Sequence, residues 1–201
     1  MSYDELNNHP LRLNLGCGRN ILDGWLNIDN QNLPGVNIVF DLNSCKSIKL
    51  PFADNSIDEF FLSHILEHIY NSLDLMEELY RVAKPNAKLV CHVPFGSSDY
   101  ALEDPTHVRS YFVGSWGYFA QPNYWRADYG YLGDWATKVI ELFVKESQCK
   151  RLSADVIMDM INEKRNIVVE MRACMHAIKP KREPLHELQD PLNIMINFIA
   201  Q

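Results

Sequence analysis

The sequence predicts an α/β domain built on a mostly parallel sheet. Between residues 11 and 94, short apolar runs bounded by turn residues alternate with a helical pattern. Several of these runs end in a polar or acidic residue, and in open α/β sheets the strands' carboxyl ends line the ligand crevice. The 201 residues are 47% hydrophobic and 22% charged, which suits one globular domain. We therefore expect a single domain over residues 1–201, with a cap at about 96–136.

The elements of the first half follow in chain order. Leucines at 11, 13 and 15 alternate with polar residues before the turn at 16–18, which predicts the first strand. Apolar runs predict four further strands at Trp25–Asp29, Val36–Asp41, Ile57–Leu62 and Lys88–Val93. Between the last two, apolar residues at three-to-four spacing predict a helix that Asn71 caps with Asp74 at the third position. Lys84-Pro85-Asn86 is expected to end this helix.

The second half begins with an aromatic segment. Residues 111–135 hold ten of the chain's 22 aromatic side chains, together with four glycines, and predict a cap or lid. Val139–Val144 and Ile167–Ile178 are predicted strands that complete the sheet in antiparallel fashion, separated by a helix at Ala154–Asn162. The apolar tail Pro191–Ala200 has two interpretations, a last element packed on the core or a homodimer contact.

Charge and composition exclude several classes of protein. The net charge of −7 provides no positive field for a long nucleic acid or an anionic membrane. The longest charge-free stretch, Ser110–Trp125, is too short and too polar to span a bilayer. The N-terminus, MSYDELNNHP, lacks the basic and apolar regions of a signal peptide, so we expect a cytoplasmic protein. Five scattered cysteines without a C-x-x-C pair indicate reduced structural thiols.

The turn Gly16-Cys17-Gly18 lets the backbone approach a ligand closely. Ile21 stands where a dinucleotide fingerprint requires a third glycine, and the chain has no P-loop, so the pattern favours a nucleoside site without a pyrophosphate. Asp29 could then accept hydrogen bonds from both ribose hydroxyls, and Asp41 could reach the adenine edge.

These features lie within five sequence blocks that follow one another along the first half of the chain. The blocks are LNLGCG (13–18), GWLNID (24–29), FDL (40–42), LPFADNSIDEFFLSHILEHI (50–69) and ELYRVAKPNAKLVCHVP (78–94). In this order and spacing the sequence resembles the class I S-adenosylmethionine-dependent methyltransferases, particularly their small type 11-like branch. The resemblance implies a Rossmann-like fold with an antiparallel last strand and helices on both faces. It also implies S-adenosyl-L-methionine as cofactor and S-adenosyl-L-homocysteine as product.

The resemblance assigns cofactor roles by position. The loop under the methionine part comprises Leu15, Gly16, Cys17 and Gly18, the ribose acid is Asp29, the adenine contacts are Asp41 and Leu42, and the donor-facing strand end is Ser63 and His64. Two features depart from the family pattern. Only six residues separate Gly18 from Trp25, which stunts the first crossover helix, and Asn86-Ala87 replaces a glycine pair.

The histidines allow competing interpretations. Residues 64–68 match H-x-x-E-H, the pattern of a zinc metallopeptidase, but His64 directly follows a strand whereas that motif needs both histidines in one helix. We therefore assign no metal ligands. Glu67 and His68 either hold the start of the following helix or, for His68, contact substrate. His107 is either the general base for an acceptor hydroxyl or a loop histidine bonded to a carbonyl.

The candidate acceptor residues lie mostly in the cap. They are Arg109, Tyr111, Trp116, Tyr124 and Trp125, together with His68. Rings in this segment either pack on the core or line a pocket for a flat or sugar-like acceptor. The resulting hypothesis is methyl transfer to an oxygen or nitrogen of a small acceptor, such as a saccharide or another metabolite. The alternatives are the zinc metallopeptidase and a non-catalytic cofactor-binding partner subunit.

Overall fold

A computed structural model describes residues 10–200, which form one eight-stranded mixed sheet. The strands are β1 (Arg12–Leu15), β2 (Leu26–Asp29), β3 (Ile38–Val39), β4 (Ile57–Ser63), β5 (Ala83–Pro94), β6 (Trp135–Lys145), β7 (Val168–Ala177) and β8 (Ile194–Ile199). Their order is β3-β2-β1-β4-β5-β7-β6-β8, and β7 alone runs antiparallel to its neighbours. The predicted mixed sheet is thus confirmed, with the tail contributing one strand beyond the predicted antiparallel pair.

The helices are α1 (Ser72–Val82), α2 (Asp99–Glu103), α3 (Glu146–Cys149) and α4 (Ala154–Glu163). The predicted helix is confirmed, but α1 fully buries Leu75, Met76 and Leu79, whereas Leu73 and Tyr80, on which its predicted period rests, are only partly buried. Asn71 occupies the cap position, but its side chain donates to Asp74 Oδ2 at 2.5 Å instead of accepting a backbone N–H, so the predicted cap bond is wrong.

Two connections show how the chain departs from the family pattern. Residues 16–25 form turns and contain no helix, so the loop after β1 does not open into a crossover helix. Strand β5 begins at Ala83, immediately after α1, and Asn86 has a left-handed φ of 63°. Asparagine adopts this region more readily than most residues, which explains how it replaces a glycine there.

The two faces of the sheet differ in burial. Alternate residues of β1, β4, β5 and β7 on one face have no exposed surface and form the core, including Leu13, Phe60, Leu89 and Met171. The residues between them, such as Phe61, His92 and Arg172, stay partly exposed. Cover by helices and loops is therefore less complete on this second face than on the first.

The segment between β5 and β6 packs several of its aromatic rings into the core. It contains α2 and two 3-10 helices, Val113–Phe119 and Gln121–Trp125. The Asp134 carboxylate at its end is fully buried and accepts hydrogen bonds from the Arg182 guanidinium at 2.9 and 3.0 Å. The Asp134–Arg182 ion pair thus links the end of this segment to the residues that follow β7.

The apolar tail forms β8, which pairs in parallel with β6 at one edge of the sheet. Its interpretation as an element packed on the fold is confirmed, although Met195 and Phe198 remain half exposed. Among residues 10–200 no helix is long and apolar enough to cross a membrane. All five cysteines are free thiols. The N-terminal pattern interpreted as lacking a signal peptide lies almost entirely outside the described residues.

Candidate active site

The loop after β1 and the end of β2 are joined by hydrogen bonds. The Gly18 N–H donates to Asp29 Oδ2 at 2.8 Å, and the Gln31 N–H donates to Asp29 Oδ1 at 2.9 Å. The Cys17 N–H donates to the Ile28 carbonyl at 3.1 Å. Each Asp29 oxygen thus accepts one backbone N–H and keeps a further lone pair. A carboxylate held in this way could accept one hydrogen bond on each oxygen from a vicinal diol.

Gly16 and Gly18 both require a left-handed backbone, with φ of 61° and 51°. Their surroundings differ. A Cβ on Gly16 would lie 2.3 Å from Ile65 Cγ1, whereas a Cβ on Gly18 would meet no atom within 4 Å. The space beside Gly18, next to the Asp29 carboxylate, is therefore open to a ligand.

The predicted adenine contacts are placed differently from each other. Asp41 is exposed, and its Oδ1 accepts the Asn43 N–H at 2.9 Å at the start of a 3-10 helix, Leu42–Ser44. The side chains of Leu42 and Leu15 pack in the core. A cofactor can therefore contact these two leucines mainly through their backbone.

The end of β4 carries a charged network. His64 has a left-handed φ of 53°, and its Nε2 lies 3.2 Å from Glu170 Oε2, while His92 Nδ1 lies 3.0 Å from Glu170 Oε1. The carboxylates of Glu170 and then Glu67 raise the pKa of His64 to about 10. The same contacts, from His64 first and then His92, lower the pKa of Glu170 to about 2. Glu170, on β7, was missed in the sequence because it belongs to no motif.

The H-x-x-E-H segment does not form the helix that a metallopeptidase needs. His64 ends the strand in a left-handed conformation, and only Leu66–His68 forms a single 3-10 turn. The two histidines therefore do not sit one turn apart on one helix. The peptidase alternative lacks its geometric basis.

His107, Glu67 and His68 share a cavity of about 510 Å³, which Tyr100 and Asp104 also line. His107 Nδ1 lies 3.2 Å from the Ala101 carbonyl, and its Nε2 lies 4.0 Å from Glu67 Oε1. The loop-histidine interpretation is confirmed at Nδ1, which binds a carbonyl, whereas the base function of His107 stays a prediction. His64 lines the same cavity, which brings the end of β4 and the loop after α2 together.

The other predicted acceptor residues are dispersed. Trp116 is fully buried with its Nε1 3.3 Å from Met171 Sδ, so its assignment to the acceptor pocket is wrong. Tyr111 and Tyr124 are also almost fully buried, and burial raises the pKa of both phenols. With Arg109 they line a second cavity of about 870 Å³. Trp125 lines a third cavity, beside His186. The aromatic segment is therefore mostly core.

Residues 13–91 match the family model described as a methyltransferase domain. Over these residues the chain is similar to methyltransferases of that family. The chain is also 35% identical over 51 residues to a ubiquinone/menaquinone biosynthesis C-methyltransferase of Desulfotalea psychrophila. That match covers 25% of the chain and only 21% of the relative.

Solved structures show the same fold. A SAM-dependent methyltransferase from Archaeoglobus fulgidus aligns with a TM-score of 0.57 and 20% identity over 87% of this chain and 89% of that one. A putative methyltransferase of Haloferax volcanii, solved in complex with the Trm112 methyltransferase activator, gives a TM-score of 0.52 and 12% identity over 87% and 88%. The match over residues 13–91 and the shared fold both support the predicted S-adenosylmethionine-dependent enzyme.

Proposed function

We propose that this protein transfers the methyl group of S-adenosylmethionine to an oxygen or nitrogen of a small acceptor bound in the 510 Å³ cavity. The observation that carries the proposal is the 2.8 Å hydrogen bond between the Gly18 N–H and Asp29 Oδ2. This bond joins the loop after β1 to the end of β2, the two segments to which the resemblance assigns the adenosyl group, and the position of Gly18 faces open space. The cavity with His64 and His107 lies at the carboxyl end of β4, where this fold places its ligands.

On the donor side, Asp29 would accept hydrogen bonds from the ribose hydroxyls through its remaining lone pairs. The backbone of the loop from Leu15 to Gly18 would approach the methionine part, and Asp41 with the Leu42 backbone would contact adenine. Ser63 and His64 would face the donor from the end of β4. When bound, S-adenosylmethionine supplies an electrophilic methyl group and leaves as S-adenosylhomocysteine.

On the acceptor side, the cavity would hold the nucleophilic atom in line with the methyl carbon and keep water away from it. For a hydroxyl acceptor, His107 Nε2 would take the proton as the oxygen–carbon bond forms and the carbon–sulfur bond breaks. His107 is nine-tenths buried and fixed through Nδ1 to the Ala101 carbonyl, which orients Nε2. His68, whose ring centroid lies 4.7 Å from that of His107, would contact the acceptor beside it.

The cavity wall indicates the class of acceptor. Glu67, Glu103, Asp104 and Glu170 place carboxylates around it, which disfavours an anionic acceptor. Tyr100 is more than half exposed and can stack on the apolar face of a ring. We infer a neutral or cationic acceptor that carries hydroxyl or amino groups, such as a saccharide. Arg109, Tyr111, Tyr124 and Trp125 would contact only an acceptor long enough to reach the neighbouring cavities.

Calorimetry with S-adenosylhomocysteine and its 2′-deoxy analogue tests the donor site. Two hydrogen bonds to a charged group contribute about 1.5–3 kcal/mol each, so Asp29→Ala should weaken binding about 100-fold or more. The parent should bind the deoxy analogue more weakly than the full ligand, whereas Asp29→Ala should barely distinguish the two. Asp23→Ala, an exposed carboxylate nearby, is the matched control. Equal discrimination by Asp29→Ala and the parent would refute the ribose assignment.

Incubation of labelled S-adenosylmethionine with cell extracts and the purified protein would identify the acceptor by its labelled product. With that acceptor, His107→Ala should reduce kcat while leaving S-adenosylhomocysteine affinity unchanged. Unchanged kcat would remove His107 from the reaction. Cofactor binding without any labelled product would favour the non-catalytic partner subunit. A homodimer through the half-exposed residues of β8 would appear in sedimentation experiments.

A further inference from the structure

Glu67, His68 and His107 form a cluster in which one donor atom from each residue lies within 4.8 Å of the others. Glu67 and His68 come from the 3-10 turn after β4, and His107 comes from the loop after α2. Two backbone bonds hold these segments together, since the Val108 and Arg109 N–H groups both donate to the Glu67 carbonyl. The cluster is therefore positioned by the backbone of both segments.

The hydrogen bonds of the two histidines fix which nitrogen is free. Thr106 Oγ1 donates to Asp104 Oδ1 at 2.6 Å, so it acts as an acceptor toward His68 Nδ1, 3.0 Å away. The Thr106 carbonyl accepts from the same nitrogen at 3.3 Å, and the Ala101 carbonyl accepts from His107 Nδ1 at 3.2 Å. Both histidines thus carry their proton on Nδ1 and present an Nε2 lone pair, the arrangement that second-shell carbonyls impose on metal-binding histidines.

Glu67 is only 1% exposed, and within residues 10–200 neither of its carboxylate oxygens has a hydrogen-bond partner. The nearest cationic side chain is His64, whose Nδ1 lies 3.5 Å from Oε1. A buried carboxylate without hydrogen bonds is costly, and buried charges in proteins are normally paired or bound to metal. His64 thus pairs with the charge of Glu67 but supplies no hydrogen bond, and these two buried oxygens without a hydrogen-bond donor are the second observation that indicates a ligand.

We propose that Glu67, His68 and His107 bind one divalent transition-metal ion through a carboxylate oxygen and two Nε2 atoms. Two imidazoles and one carboxylate favour Zn²⁺, Fe²⁺ or Co²⁺ over the oxygen-binding Mg²⁺ and Ca²⁺. Donor atoms about 2.1 Å from an ion at tetrahedral angles lie about 3.4 Å apart, so the 4.0 Å between His107 Nε2 and Glu67 Oε1 needs only a small contraction. Asp104 Oδ2, 3.8 Å from His107 Nε2, is the nearest further carboxylate oxygen to that ligand.

A four-coordinate ion with three protein ligands keeps one open coordination position. Since the three residues line the 510 Å³ cavity, water or an acceptor oxygen could reach that position. The geometry that supports the metal site does not rest on the proposed methyl transfer, although both proposals use His107 and the same cavity. One lone pair cannot bind a metal and accept a proton at once, so the base function of His107 applies to the protein without the ion.

Titration of tag-free, chelator-treated protein with Zn²⁺ by calorimetry, and with Co²⁺ by visible absorption, tests the site. The parent should bind one ion with intense low-coordinate cobalt bands. Glu67→Gln and His107→Asn should each weaken binding about 100-fold or more. The matched control, His176→Asn, removes a histidine from β7 and should bind like the parent.

Absence of stoichiometric binding by the parent, or parent-like affinity in both His107→Asn and Glu67→Gln, would overturn the proposal. Thermal unfolding shows whether each variant folds. If Glu67→Gln does not fold, His107→Asn still tests the proposal. S-adenosylhomocysteine titration of the same samples separates failure of the metal site from failure of the proposed function, since ligand binding without ion binding refutes only the former.

Discussion

Replacing Gly16 by Ala should destabilise this protein more than replacing Gly18 by Ala. Both positions have a left-handed φ, so both substitutions share a conformational cost of about 1–2 kcal/mol. At Gly16 alone the new Cβ would lie 2.3 Å from Ile65 Cγ1 and 2.7 Å from Ile65 Cβ. Since Ile65 must then move, overpacking adds about 1–3 kcal/mol. We expect the free energy of unfolding to fall by about 2–5 kcal/mol for Gly16→Ala.

Urea unfolding of the parent and both variants measures this difference, with equal m-values as the check on two-state behaviour. Gly18→Ala has a second expected effect. Its Cβ would enter the open space assigned to the cofactor, so it should weaken S-adenosylhomocysteine binding although its stability loss is small. Equal stability loss in the two variants would refute the close packing of Gly16 on Ile65. Unchanged ligand affinity in Gly18→Ala would refute the placement of the cofactor there.

Other side chains give independent predictions. Arg182→Ala should lower the free energy of unfolding by about 3–5 kcal/mol because it leaves the buried Asp134 carboxylate without its cation. Arg165→Ala, which breaks an exposed pair, should cost at most about 1 kcal/mol, and a similar loss in both variants would contradict the argument. Burial and then Glu78 raise the pKa of Cys45 to about 12, so this thiol should resist alkylation at pH 8 in folded protein and react after unfolding, as mass spectrometry of labelled peptides would show. Fast labelling of Cys45 in the native state would contradict its assigned burial.

Local patterns were enough to predict the elements that carry the donor site. Leu13 and Leu15 alternate with Asn14 on β1, and α1 shows a clear helical period, so both were found. The run Val36–Asp41 was predicted as a strand, yet only Ile38–Val39 pairs, at the edge of the sheet beside β2. How far an edge strand pairs depends on its neighbour and not on its own apolar content.

The acceptor side was harder to predict because its side chains come from distant segments. Glu170 reaches His64 and His92 only through the antiparallel register that pairs it with Pro94, and no local pattern encodes that register. Trp116 was predicted wrongly for a different reason. The aromatic residues around it in the sequence predicted a pocket, whereas the structure buries its side chain completely. Composition indicates that rings cluster, but it does not show which of their faces are covered.

The central claim is that the Gly18 N–H and the Asp29 carboxylate together hold an adenosyl group. Amide-resolved NMR during titration with S-adenosylhomocysteine tests it most directly. We expect the largest chemical-shift changes at the amides of residues 16–18 and of Asp29, with saturation at one ligand per chain. Changes confined to other parts of the protein, or none at ligand concentrations that saturate related methyltransferases, would contradict the account.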